Sequence, residues 1–169
     1  GWQPLAGASA AINMVMIRDK LFEKAAERFG YKITAEWKPF TAGPPLNEAM
    51  LSGLLDIDMN LTALPTASRF ASDIPAVPIA VTGSNIANAI MVKPGSAVDD
   101  VTKLAGKTIA LPVGTAAHYV VASVVQTHFG KSIEEAGIKL INMPVTEAVK
   151  VPQGVDASAG WIPLRFMGP

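Results

Sequence analysis

The chain has 169 residues, with 14 basic and 14 acidic side chains, a net charge of +0, 50% hydrophobic residues and no cysteine. That length buries a core and suits one domain or two small ones, and so apolar a composition excludes a disordered chain. The charge balance removes the basic face that nucleic acid requires. The empty cysteine column excludes disulfides, thiolate metal sites and cysteine nucleophiles, while leaving the compartment open.

Residues 8–29 read as helix with a break near Arg18 and Asp19. Leu21, Phe22, Ala25, Ala26 and Phe29 recur at helical spacing, with Glu23, Lys24, Glu27 and Arg28 opposite. Gly30 is a C-terminal stop. Residues 31–37 alternate, Ile33, Ala35 and Trp37 against Lys32, Thr34 and Glu36, which predicts a half-exposed strand. In residues 41–45, Thr-Ala-Gly-Pro-Pro, the prolines open a helix over 46–52 that ends at Gly53. A strand follows over 54–61, with Asp56 and Asp58 at its polar edge, then a helix from Thr62 to about Ala71, and apolar strands over 75–81 and 86–92.

After Gly95 the pattern restarts. Residues 99–104 predict a helical turn, 108–111 a buried strand and 115–129 a largely apolar helix. A short helix over 133–136, a strand over 138–141, a helix over 146–151 and a strand over 155–159 complete the series. No charge falls between residues 74 and 92 or between 108 and 130, lengths that raise the question of a membrane span. Pro75, Pro78 and Gly83 interrupt the first, and Pro112, Gly114, His118 and His128 the second. Each reads instead as a buried strand, a turn and another buried element. Alternating strands and helices predict parallel α/β layers. A faint echo, Glu48 to Asp56 against Glu147 to Asp156, suggests two α/β units joined near residues 83–93.

In open parallel sheets, ligands sit beyond the carboxyl ends of the strands. The segments there are Thr41-Ala42-Gly43, Thr62-Ala63, Gly114-Thr115-Ala116 and Gly160-Trp161. None is charged, yet three carry a threonine just before a helix. A threonine there caps the helix, and the free N–H groups and dipole hold an anion without lysine or arginine. Any one of these threonines alone reads as an ordinary cap; only their repetition points to an oxyanion site. Gln3 could add an amide, and Trp2 or Trp161 an apolar wall. His118 and His128, nearly three turns apart on one helix, cannot share a metal. His118, one turn into its helix, is equally placed to pack or to face a ligand. Glycine-rich phosphate loops, nucleophile elbows and zinc-protease motifs are absent from the sequence, and no nucleophile stands beside a base.

The order of these segments resembles the taurine/alkanesulfonate/nitrate solute-binding proteins of bacterial ABC transporters. Thr41 to Gly43, Glu48 to Gly53, Asp56 to Asn60, Thr62 to Pro65, Met91-Val92-Lys93, Lys103-Leu104-Ala105-Gly106-Lys107 and Gly154 to Pro163 all fall in place. Thr115-Ala116-Ala117-His118-Tyr119 is similar to the taurine-binding branch, and Trp2-Gln3-Pro4 to the family's aromatic–Gln turn. The resemblance implies a two-lobed α/β fold of periplasmic-binding type II, each lobe a mostly parallel sheet flanked by helices. Lobe I would cover 1–85, lobe II 86–162, and residues 163–169 would start the crossing back. Family members are longer at both ends, so the resemblance implies an incomplete fold. It also implies hinged closure on a small anion, delivery to a membrane permease, a periplasmic or lipid-anchored monomer, and no enzyme activity, cofactor or metal. No signal peptide is visible at Gly1.

By position, the resemblance makes Gln3, Thr41, Gly43, Thr62, Ala63, Gly114, Thr115, His118 and Trp161 the ligand-binding residues. Gly160-Trp161-Ile162-Pro163 departs from the taurine pattern by lacking a carboxylate for an ammonium. That favours nitrate, an alkyl or aryl sulfonate, or another organic acid. Two other functions share the fold. An effector-sensing domain of a transcription regulator would need a DNA-binding segment upstream. An enzyme resembling the thiamine pyrimidine synthase would need a cysteine-rich iron motif, which this chain lacks.

Overall fold

The structure is a computed structural model that describes residues 1–4, 8–59, 61–72, 76–80 and 88–161. The chain divides into two compact units, Gly1–Leu61 with Arg69–Ser84, and Thr62–Ser68 with Asn85–Pro169. The expected crossing segment, residues 163–169, lies outside the described residues.

The second unit is built on a mixed four-stranded sheet. Strands β1 (Asn88–Met91), β2 (Thr108–Leu111), β3 (Lys139–Asn142) and β4 (Ala157–Trp161) lie in the order β1-β4-β2-β3. β2 runs parallel to β3 and β4, while β1 pairs antiparallel with β4, Asn88 opposite Trp161. Ile109, Ala110 and Leu111 are fully buried, as befits a central strand covered on both faces.

Helix α5 (Ala116–Phe129) covers one face. Its Ala117, Val121 and Val125 recur every four residues, so they share one side. They join Leu104, Ile109, Leu111, Ala157 and Ala159 in the main core. Each valine or leucine so buried contributes roughly 1.5–3 kcal/mol. The helix ends where Gly130 takes a left-handed φ of 63°. Helix α6 (Val145–Ala148) covers the other face over Gly160. A Cβ at Gly160 would stand 3.2 Å from a Val145 methyl, so glycine lets this helix settle on β4. Between β1 and β2, Asp100 accepts the Thr102 N–H at 2.8 Å and opens a 3-10 turn over Val101–Leu104. Residues 133–137 form a turn rather than the expected helix. Ser132 and Glu135 exchange backbone-to-side-chain bonds of 2.8 and 3.1 Å there, a capping box with no helix long enough to follow.

In the first unit, the helix expected over 8–29 is two helices, α1 (Ala8–Arg18) and α2 (Leu21–Arg28). They part at Lys20, which adopts a left-handed φ of 50°. Helix α3 (Gly43–Leu51) follows, with prolines in its first turn, and helix α4 (Ala63–Ala71) belongs to this unit only from Arg69 on. Leu46, Ala49 and Leu55 form a small core with Phe40, Met50 and Leu61 around them.

The strands expected over 31–37 and 54–61 are corrected. Among the described residues, their backbones join no multi-residue ladder. In the first, Tyr31 N donates to Ala26 O at 3.0 Å and Ala35 N to the Glu23 carboxylate at 3.3 Å, and just beyond it Trp2 donates to Lys38 O at 3.0 Å, accepts from Phe40 N at 2.8 Å and bridges to Pro39. In the second, Leu54 N donates to Ala49 O at 2.9 Å, and Gly1 donates to Ile57 O at 2.7 Å while its carbonyl accepts from Met59 N at 2.9 Å. An alternating pattern becomes a strand only beside a partner of matching length. Residues 76–80 are likewise without a ladder, and residues 75 and 81 lie outside the described residues, as do 86 and 87 of the next expected strand.

Candidate functional site

The turn between β2 and α5 gathers three of the expected ligand residues. Gly114 has a φ of 79°, a conformation that disfavours any side chain. Its N–H donates to His118 Nδ1 at 3.2 Å. Thr115 stands at the N-cap, 4% exposed, but its hydroxyl does not cap the helix. It donates instead to Pro112 O at 2.7 Å. The threonine cap expected here is therefore corrected: the hydroxyl closes the strand-to-helix turn, and the histidine ring serves a helix-start donor. His118 also forms one end of an open groove of ≈ 550 Å³ along α5, with Ser123, Gln126, Thr127, Lys131 and Glu134.

Thr62 and Ala63 open α4, and the Thr66 hydroxyl donates back to Thr62 O at 2.9 Å. Trp161 ends β4 and is only 8% exposed, packed with Val145, Val149 and Met91. Within the second unit, then, Gly114, Thr115 and His118 are together, and Trp161 is held in the sheet's packing.

In the first unit, the Trp2–Pro39 bridge brings Gln3, itself 7% exposed, beside the segment that leads into Thr41. Thr41 is exposed, and Ala42 rather than Thr41 is the N-cap of α3, with Gly43 buried in its first turn. The Gly43 N–H thus follows a residue with no side-chain acceptor, and Pro44 and Pro45 after it have no N–H to offer. Among the described residues no cluster of three or more histidine or acidic side chains could hold a metal, and no helix is long and apolar enough to cross a membrane.

One group the sequence reading missed lies nearby. Asp58, expected at the polar edge of a strand, is the buried ion-pair partner of Arg69 on α4, and Arg69 also binds Asn47 on α3. The available signal was composition: Arg69 is the single charge in the otherwise uncharged helix Ala63–Ala71.

A mixed four-stranded sheet flanked by helices, in a chain of two compact units, is an α/β architecture of the periplasmic-binding kind. No family model matches the sequence, and no curated protein matches it. Solved structures do. The alkanesulfonate-binding protein SsuA from Xanthomonas axonopodis pv. citri, bound to MOPS, matches with a TM-score of 0.78 and 27% identity, covering 99% of this chain and 56% of that one. The periplasmic aliphatic sulphonate binding protein SsuA from Escherichia coli matches at 0.73 and 25%, over 98% and 54%. An ancestral arginine-binding protein bound to arginine, at 0.52 and 21% over 88% and 61%, shares the fold alone. The chain spans about half the length of the sulfonate-binding structures. The resemblance to ABC-transporter solute-binding proteins of the sulfonate group holds in three dimensions.

Proposed function

We propose that this chain is a solute-binding protein that captures a small organic sulfonate or related oxyanion for an ABC importer, acting as a periplasmic monomer that hands its ligand to a membrane permease. The observation that supports this most is the match, over 99% of the chain, to a protein whose structure holds MOPS, a sulfonate. The proposed contacts are Gln3, Thr41 and Gly43 from the first unit, and Thr62, Ala63, Gly114, Thr115, His118 and Trp161 from the second. In this reading lobe I covers residues 1–85 and lobe II 86–162, bounds that differ from the two compact units in assigning Thr62–Ser68 to lobe I. Uncharged donors suit a strongly acidic anion that stays ionised, because backbone N–H groups bind it without a counter-charge. The segment around Trp161 has no carboxylate for an ammonium group, which favours sulfonates without one over taurine.

The neighbouring structures are binding proteins, and we read this chain as a binding protein rather than an enzyme. A thermal-shift panel of methanesulfonate, MOPS, taurine, nitrate and carboxylates tests the assignment. A sulfonate at 100 times its Kd stabilises by about 2.7 kcal/mol and raises Tm accordingly. A Tm that no anion moves overturns the reading.

A further inference from the structure

Arg69 exposes 7% of its side chain and Asp58 10%, and Asn47 is buried beside them. Arg69 Nε and Nη2 donate to Asn47 Oδ1 at 3.0 and 2.5 Å, and Nη2 also donates to Asp58 Oδ2. Burying such a pair carries a desolvation penalty that apolar side chains of the same volume avoid. What the guanidinium adds is geometry. It joins α3, through Asn47, to α4 and to residues 54–59, a segment with no ladder of its own to fix it.

Asn47 lies four residues after Gly43, one turn on and on the same side of α3. A restraint on the Asn47 amide therefore sets both the rotation of α3 and the direction of the Gly43 N–H, the donor left in a first turn whose next two residues are prolines. Arginine suits this task because its Nε and Nη2 form a rigid planar edge, whereas lysine offers a single point charge. We propose that Arg69 is a positioning residue for the ligand loop at residues 41–43, acting through Asn47. This deepens the sulfonate-binding reading and rests on it.

Calorimetric titration with MOPS tests it on four proteins, all held well below their melting temperatures. Arg69→Lys keeps a charge opposite Asp58 but loses the planar edge on Asn47. Asn47→Ala keeps the Arg69–Asp58 pair and loses the link to α3. Leu55→Ala disturbs the first unit's core without touching the three polar groups. Arg69→Lys and Asn47→Ala each weaken MOPS binding by about tenfold or more, the effect of some 1.4 kcal/mol of misplaced contact. Leu55→Ala lowers Tm and leaves Kd at the unsubstituted value. Folded Arg69→Lys and Asn47→Ala proteins with unchanged Kd overturn the positioning role while leaving the sulfonate reading intact. An unsubstituted protein that binds no MOPS or other sulfonate overturns both. If Arg69→Lys does not fold, Asn47→Ala decides alone, since its ion pair is retained.

Discussion

Helices α2 and α5 meet opposite fates in the same chain. α2 has the sharper division into apolar and charged sides, yet none of its residues is buried, and Phe29 just beyond it is 79% exposed. α5 is apolar nearly all round and sinks Ala117, Val121 and Val125 completely. The difference lies in what each helix faces. α5 lies against β2 and β4, a continuous apolar surface offering Ile109, Leu111, Ala157 and Ala159. α2 has chiefly the extended strip that follows it, through an edge-on contact of Phe22 with Trp37 at 5.7 Å and a bond from Ala35 N to Glu23. An apolar stripe states a demand for burial; a sheet of several paired strands is what meets it.

Substitutions can break or sharpen that contrast. The largest loss is expected at Arg69→Met, which leaves Asp58 buried without its counter-charge and costs about 3–5 kcal/mol. Urea unfolding measures it. A negligible loss would mean that the first unit has no tightly held centre. Next, Leu104→Ala in the second unit's core should cost about 2–5 kcal/mol, whereas Phe29→Ala should stay within about 0.5 kcal/mol. Equal losses would abolish the distinction between the units.

A gain is expected at Asn13. Its amide is fully buried on α1 with no hydrogen-bond partner among the described residues. Asn13→Leu removes that desolvated group and should stabilise by about 1 kcal/mol, seen as a higher urea midpoint at unchanged slope.

The smallest effect is pH-dependent and sits at the 3-10 turn. The Thr102 N–H bonded to Asp100 holds its carboxyl below the ordinary 3.8, and the Lys103 ammonium does the same for Asp99. A depressed carboxylate stabilises the fold above its ordinary pKa and loses that contribution as pH falls through the folded value. Asp100→Asn should therefore lower Tm slightly at pH 7 and match the unsubstituted protein in acid. A difference that persists at low pH would assign the effect to something other than charge.

The same contrast explains what was legible beforehand. Helices with local signals came through: the break at Arg18 and Asp19, the prolines before α3, and the stops at Gly30, Gly53 and Gly130 are all written within a few residues. β2, β3 and β4 were also readable, because an apolar run between turns has few other uses. The segments over 31–37 and 54–61 were not, since strand formation depends on a partner elsewhere in the chain. In the loops proposed for the site, a residue's position was legible and its bonds were not. That Thr115 lies before a helix is visible in sequence; that its hydroxyl chooses Pro112 O, leaving Gly114 N–H to His118, depends on angles set by the fold. Arg69 with Asp58 escaped because the two lie on different elements, and no period within one helix or strand announces a pair made between elements.

The bond from Gly114 N–H to His118 Nδ1 also makes the imidazole a built-in reporter. A ring nitrogen that accepts an N–H cannot carry the ring's proton, so in its neutral form His118 is the Nε2–H tautomer. The two tautomers are distinct in a nitrogen NMR spectrum. Any change that breaks the bond to Gly114 would therefore be read directly on His118 in nitrogen-15-enriched protein.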